Sequence, residues 1–70
     1  MFTNAKISLR AARVNRGLSQ KEAAIKLMIG TSTLQGYENG KHHPRLDTLR
    51  RMEQLYGINI QHFRMDLSDE

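Results

Sequence analysis

The sequence predicts an all-α domain, a compact bundle of four to five short helices. Three observations predict it. Apolar residues recur three and four positions apart in separate segments, at Ala23, Ala24 and Leu27, at Leu34 and Tyr37, and at Leu46, Leu49, Met52 and Leu55, which is the spacing of one helix face. Gly17, Gly30, Gly40, Pro44 and Gly57 punctuate the chain between those segments, where helices stop and start. No stretch alternates apolar and polar residues in the manner of a half-buried strand.

Seventy residues make one domain near the lower size at which a single core holds a fold. There is no cysteine, so neither disulfides nor a thiolate zinc site reinforces that core. Such a domain depends on close helix packing or on a partner subunit. Nothing approaches a bilayer span or a signal peptide, and the expected setting is the cytoplasm.

The first helix is expected within residues 6–16, carrying Ile7, Leu9, Ala12 and Arg13, with Asn4 as N-cap and Gly17 as stop. Ser19 opens the second, and Glu22 three positions later completes a capping box. Ala23 and Ala24 keep its inner face small enough for a close helix crossing. Met28-Ile29-Gly30 breaks the period, Gly30 caps a third helix over Thr31–Glu38, and Asn39-Gly40 ends it because both residues tolerate positive φ. Leu34 and Tyr37 share one face of that helix; Thr31, Ser32, Gln35 and Gly36 share the other. A polar loop with Pro44 leads to a fourth helix at about Asp47–Tyr56, stopped by Gly57. Ile58, Ile60 and Phe63 form a last turn folding back on the core, with Asn59 as its cap. The domain is expected to span residues 1–64, followed by a flexible acidic tail at 65–70.

Charge follows the same division. The chain has 11 basic and 7 acidic residues, and Asp66, Asp69 and Glu70 all follow the last basic residue, Arg64. The preceding 64 residues therefore hold eleven basic against four acidic groups, an excess that attracts polyanions and releases their counterions.

Two short helices joined by a tight turn, the second with an apolar inner face and a small polar outer face, form a unit suited to the major groove of DNA. Arg13, Gly17-Leu18-Ser19-Gln20, Ala24, Leu27, Ile29, Leu34, Glu38-Asn39-Gly40, Pro44, Leu49 and Leu55-Tyr56-Gly57-Ile58 together resemble the lambda-repressor-like (Cro/XRE-type) helix-turn-helix family over roughly residues 7–63. The resemblance implies a reading helix held in the major groove, with the helix before it crossing the backbone. Two residues depart from the family pattern. Met28 stands where a glycine is usual in the turn. Gly36 leaves no side chain where relatives commonly contact bases, so either DNA approaches closely there or base reading is reduced.

Thr31, Ser32, Gln35 and Gly36 are the candidate base-reading residues. A Gln side chain can bond adenine in bidentate fashion, and Ser or Thr can serve several bases. Gln20 and the first amides of its helix resemble the family's phosphate clamp. Asn39, Gly40, Lys41 and Arg45 are expected to grip the backbone beyond the reading helix, fixing register. Of the adjacent His42 and His43, neither suits a metal site, and a phosphate contact is assigned to His43. Arg13 and Glu38 match a family pair that bridges the first and third helices, a structural salt bridge. No nucleophile, base and orienter come together, so no enzyme activity, cofactor or metal is expected.

These residues describe a sequence-specific DNA-binding repressor of the Cro type, phage or bacterial, acting in the cytoplasm on the nucleoid. A homodimer on a two-half-site operator is expected, because one reading helix buries too little for specificity. With no room for an effector domain, control would come from expression level, degradation or a partner protein. The alternatives are a protein-binding antagonist of a larger repressor, joined to it in a hetero-complex, and an antitoxin using the same DNA face.

Overall fold

A computed structural model describes residues 6–64. The elements follow in the order β1 (Ile7–Ser8), α1 (Leu9–Asn15), α2 (Gln20–Leu27), α3 (Thr31–Glu38), α4 (Leu46–Tyr56), a 3-10 turn at Ile60–His62, and β2 (Phe63–Arg64). The fold is all-α in character, with one addition that the sequence did not signal. Ile7 and Ser8 pair in parallel with Phe63 and Arg64, bringing both ends of the described chain side by side. Strands of two residues have no periodicity to read.

Local signals explain the helix ends. Ser8 caps α1 by accepting the Ala11 amide at 3.0 Å, so α1 begins at Leu9 and residues 7–8 are extended instead of helical. Asn4, the cap expected from sequence, lies outside the described residues. Ser19 and Glu22 form the expected capping box: the Ser19 hydroxyl accepts the Glu22 amide at 3.0 Å, and the Glu22 carboxylate accepts the Ser19 amide at 2.9 Å. The α3 boundaries match the reading, with Gly30 as N-cap. At its far end only Gly40 takes positive φ, +82°, while Asn39 stays at −97°. Gly57 ends α4 at φ 71°.

The core joins Leu9, Ala12, Ala23, Ala24, Leu27, Leu34, Met52, Tyr56 and Phe63. Leu27 and Leu34 are completely buried on the two helices that meet at the turn, and Ile29 and Tyr37 pack partly buried around them. These four set how α3 is held on α2. Truncating Leu27 or Leu34 to Ala would remove about 2–5 kcal/mol of stability.

The buried face of α4 differs from the expected stripe. Thr48, Met52 and Tyr56, spaced four apart, are buried, with Leu49 and Leu55 partly buried beside them. Leu46 is 62% exposed. It lies about 120° around the helix from Met52, on the first turn, so the row of leucines wraps away from the core. Among the described residues no helix is long and apolar enough to cross a membrane.

Candidate DNA interface

The outer face of α3 is built by what holds its inner face. Leu34 anchors the helix, leaving Thr31, Ser32 and Gln35 exposed. Gly30 supplies no side-chain cap, so α3 enters with its first turn uncovered. Ser32, Gln35, Asn39 and Lys41 line one open groove together with Thr33, Gly36 and His42. The structure thus brings three of the four expected base-reading residues, Ser32, Gln35 and Gly36, and two of the expected phosphate-gripping residues, Asn39 and Lys41, to a single concave surface. Thr31 is exposed on the same helix outside that lining.

A hydrogen-bonded chain connects this surface to the interior. Arg13 donates from Nε to Glu38 Oε2 at 2.7 Å and from Nη2 to Glu38 Oε1 at 3.2 Å, and from Nη1 to the Leu18 carbonyl at 2.8 Å. Gln20 Nε2 donates to Glu38 Oε1 at 3.0 Å, and Gln35 Nε2 donates to Gln20 Oε1 at 3.2 Å. The expected Arg13–Glu38 bridge is present, and it extends further than expected. It ties α1 to α3, fixes the loop before α2, and orients the side chain of Gln20, which in turn orients Gln35. Hydrogen bonds to the Glu38 carboxylate, reinforced by that group's charge, hold the Arg13 guanidinium above its ordinary pKa against the effect of burial.

The start of α2 lies beside this network. Ser19 takes the Glu22 amide, while the amides of Gln20 and Lys21 take no partner among the described residues. Hydrogen bonding to Ser19 lowers the pKa of the Glu22 carboxyl, so it stays charged in its capping role.

The loop after α3 divides the two histidines. Asn39 Oδ1 accepts the Lys41 amide at 3.1 Å, and Gly40 supplies the left-handed turn. His43 and Gly40 line a small cavity with Ser8, Leu9, Tyr37, Glu38 and Arg64, whereas His42 lines the groove of α3. Arg45 is exposed at the N-cap of α4 and lines neither space. Gly36 is buried, with the His42 ring over it. Position 36 lies on the groove side of α3 with Ser32 and Gln35, and a side chain from the loop covers it. The contact of the His42 ring with Gly36 was not anticipated from the sequence. The glycine in the middle of α3 and the ring six positions later are the residues that meet.

Helices α2 and α3, joined through the three-residue link Met28-Ile29-Gly30 with the second presented outward, lie within the span over which the chain matches the helix-turn-helix family, residues 9–63. The chain belongs to the helix-turn-helix family. It is 41% identical over 54 residues to the HTH-type transcriptional regulator ImmR of Bacillus subtilis (strain 168), covering 77% of this chain and 42% of that protein. It is 36% identical over 52 residues to the cryptic phage CTXphi transcriptional repressor RstR of Vibrio cholerae, covering 74% of this chain and 47% of that one. Multiprotein-bridging factor 1c of Arabidopsis thaliana is 30% identical over 56 residues, or 80% of this chain and 38% of its own length. The chain spans less than half the length of these curated relatives. No solved structure matches at the same stringency.

The turn between α2 and α3 holds its methionine in a left-handed conformation. Met28 adopts φ 62°, ψ 43° at the end of α2, and among the described residues it is the one non-glycine with positive φ. Its side chain is 73% exposed, so nothing in the core depends on it. The conformation that glycine would take freely is imposed here on methionine, at a cost of about 1–2 kcal/mol.

Proposed function

We propose that this helix-turn-helix chain is a sequence-specific transcriptional regulator of the Cro type, in which α3 enters the major groove of an operator. One observation carries the reading: Thr31, Ser32 and Gln35 stand exposed on one face of α3, and Gln35 is oriented through Gln20 and Glu38 by a buried arginine. A polar helix face held this firmly is pre-organised for directional contacts, which lowers the ordering cost on binding. Similarity to proteins named as a regulator and a phage repressor agrees with it.

In this reading Thr31, Ser32 and Gln35 face base edges. Gln20 with the first amides of α2 grips one stretch of backbone; Asn39, Gly40, Lys41 and Arg45 grip the other. The cavity side taken by His43 gives it a loop-supporting place next to Glu38 and Arg64, with any phosphate contact secondary. Two copies bound to half-sites about one helical turn apart would give the affinity that one reading helix lacks. The antagonist reading rests on reduced base reading at Gly36 and on the acidic tail at 65–70; the tail lies outside the described residues, and Gly36 is covered by the His42 ring.

Selection of the chain against a randomised duplex library, followed by titration of the recovered sequence over a salt series, tests the proposal. A defined motif, binding that weakens steeply with salt, and a loss of about 1–3 kcal/mol for Gln35→Ala with relaxed preference at one position are expected. Absence of duplex binding at low salt, beside tight capture of a co-encoded repressor, would overturn it.

A further inference from the structure

The loop after α3 returns to that helix at one point. The Gly36 carbonyl accepts the backbone amides of both Lys41, at 2.9 Å, and His42, at 3.2 Å. A Cβ built on Gly36 would stand 2.7 Å from Cδ2 of His42 and 3.6 Å from its Cγ and Nε2. The imidazole therefore rests directly on the glycine, closer than any larger residue at position 36 would allow. His42 is itself exposed, and it lines the groove between Ser32, Gln35, Asn39 and Lys41.

We infer that His42 is a specificity-determining residue: it supplies from the loop the base-reading side chain that α3 lacks at position 36, and Gly36 is its seat. The inference rests on the reading of α3 as the helix that enters DNA, and deepens it. An imidazole always carries at least one N–H donor, which matches the acceptor edge that guanine presents through N7 and O6. Pinning of the His42 amide fixes where the ring begins, and contact with the glycine fixes how far it stands off the helix. The adjacent histidine does not share this role, because it faces Ser8, Glu38 and Arg64 on the other side of the loop.

The randomised-duplex selection, repeated with His42→Ala and with Gly36→Ala, tests this directly. His42→Ala is expected to recover the wild-type motif with one base pair made degenerate, and to lose roughly tenfold in discrimination there. Gly36→Ala pushes the ring away without removing it. It should change the preference at that same base pair while thermal unfolding stays at or above wild type, alanine being the better helix former. Equal weakening on every duplex by His42→Ala would mark a phosphate contact and overturn the inference, as would an unchanged motif and affinity. If the wild-type chain itself selects no sequence, the DNA-reading proposal falls, and this inference with it.

Discussion

Arg13 and Glu38 face each other through two hydrogen bonds, 2.7 and 3.2 Å long, with side chains only 9% and 4% exposed. A pair so enclosed contributes less through its mutual attraction than it costs when one member is removed, because the survivor is left as an uncompensated charge. Glu38→Ala should therefore destabilise the domain by about 3–5 kcal/mol, a large part of the whole stability of a domain this size. Urea denaturation measures it. Converting both residues to apolar ones, Arg13→Met with Glu38→Leu, should recover much of the loss. Recovery stays incomplete because the Leu18 carbonyl and the Gln20 amide lose their partners. Equal destabilisation by the single and double variants would show that the pair is not the source.

Tyr56 gives a prediction of opposite sign. Its ring packs edge-on against Phe63 with centroids 6.3 Å apart, but its buried hydroxyl has no partner among the described residues. An unsatisfied buried hydroxyl costs about 1–3 kcal/mol, so Tyr56→Phe should raise stability, by about 1 kcal/mol. Burial, followed by the Glu38 charge, pushes the Tyr56 pKa up to about 12. Because the folded value lies above the ordinary value of about 10, the stability due to keeping this phenol neutral is complete below about pH 10. It is then lost as pH rises toward the folded value. Alkaline denaturation curves should thus fall less steeply for Tyr56→Phe than for wild type. Parallel curves would contradict the account.

Met28 offers a test of backbone strain. Met28→Gly frees the left-handed turn of a penalty of about 1–2 kcal/mol, partly offset by the greater freedom of glycine in the unfolded chain, about 0.4–1 kcal/mol. The net expectation is stabilisation of roughly 0.5–1 kcal/mol with α2 and α3 unmoved. Chemical denaturation reads it. Loss of stability would mean that the exposed methionine makes a contact worth more than the strain.

What the sequence disclosed, and what it did not, divides by distance along the chain. Ser19 and Glu22 are three residues apart and announce their capping box; Gly30, Gly40 and Gly57 mark ends within one turn of the residues they terminate. The α3 boundaries were legible for this reason. So were the exposed Thr31, Ser32 and Gln35, since Leu34 and Tyr37 fix which face turns inward. The pairing of Ile7 with Phe63 and the resting of His42 on Gly36 depend on chain segments brought together in space, and neither leaves a periodic trace. Leu46 misled because the apolar row on α4 drifts around the helix while Thr48, a polar residue, occupies a buried place. The extension of the salt bridge through Gln20 to Gln35 joins three helices and could be drawn only from coordinates.

The small parallel pairing has a kinetic consequence. Ile7 meets Phe63 only after nearly the whole chain between them has been ordered, so closing this contact bears a large loop entropy if attempted early. The helices, whose signals are local, can assemble first and bring the two ends near each other. A pairing closed in that order would act as a latch absent from the folding transition state. Contacts of that kind slow escape from the native state and leave the rate of arrival almost untouched. Weakening it should shorten the lifetime of the folded protein more than it delays folding.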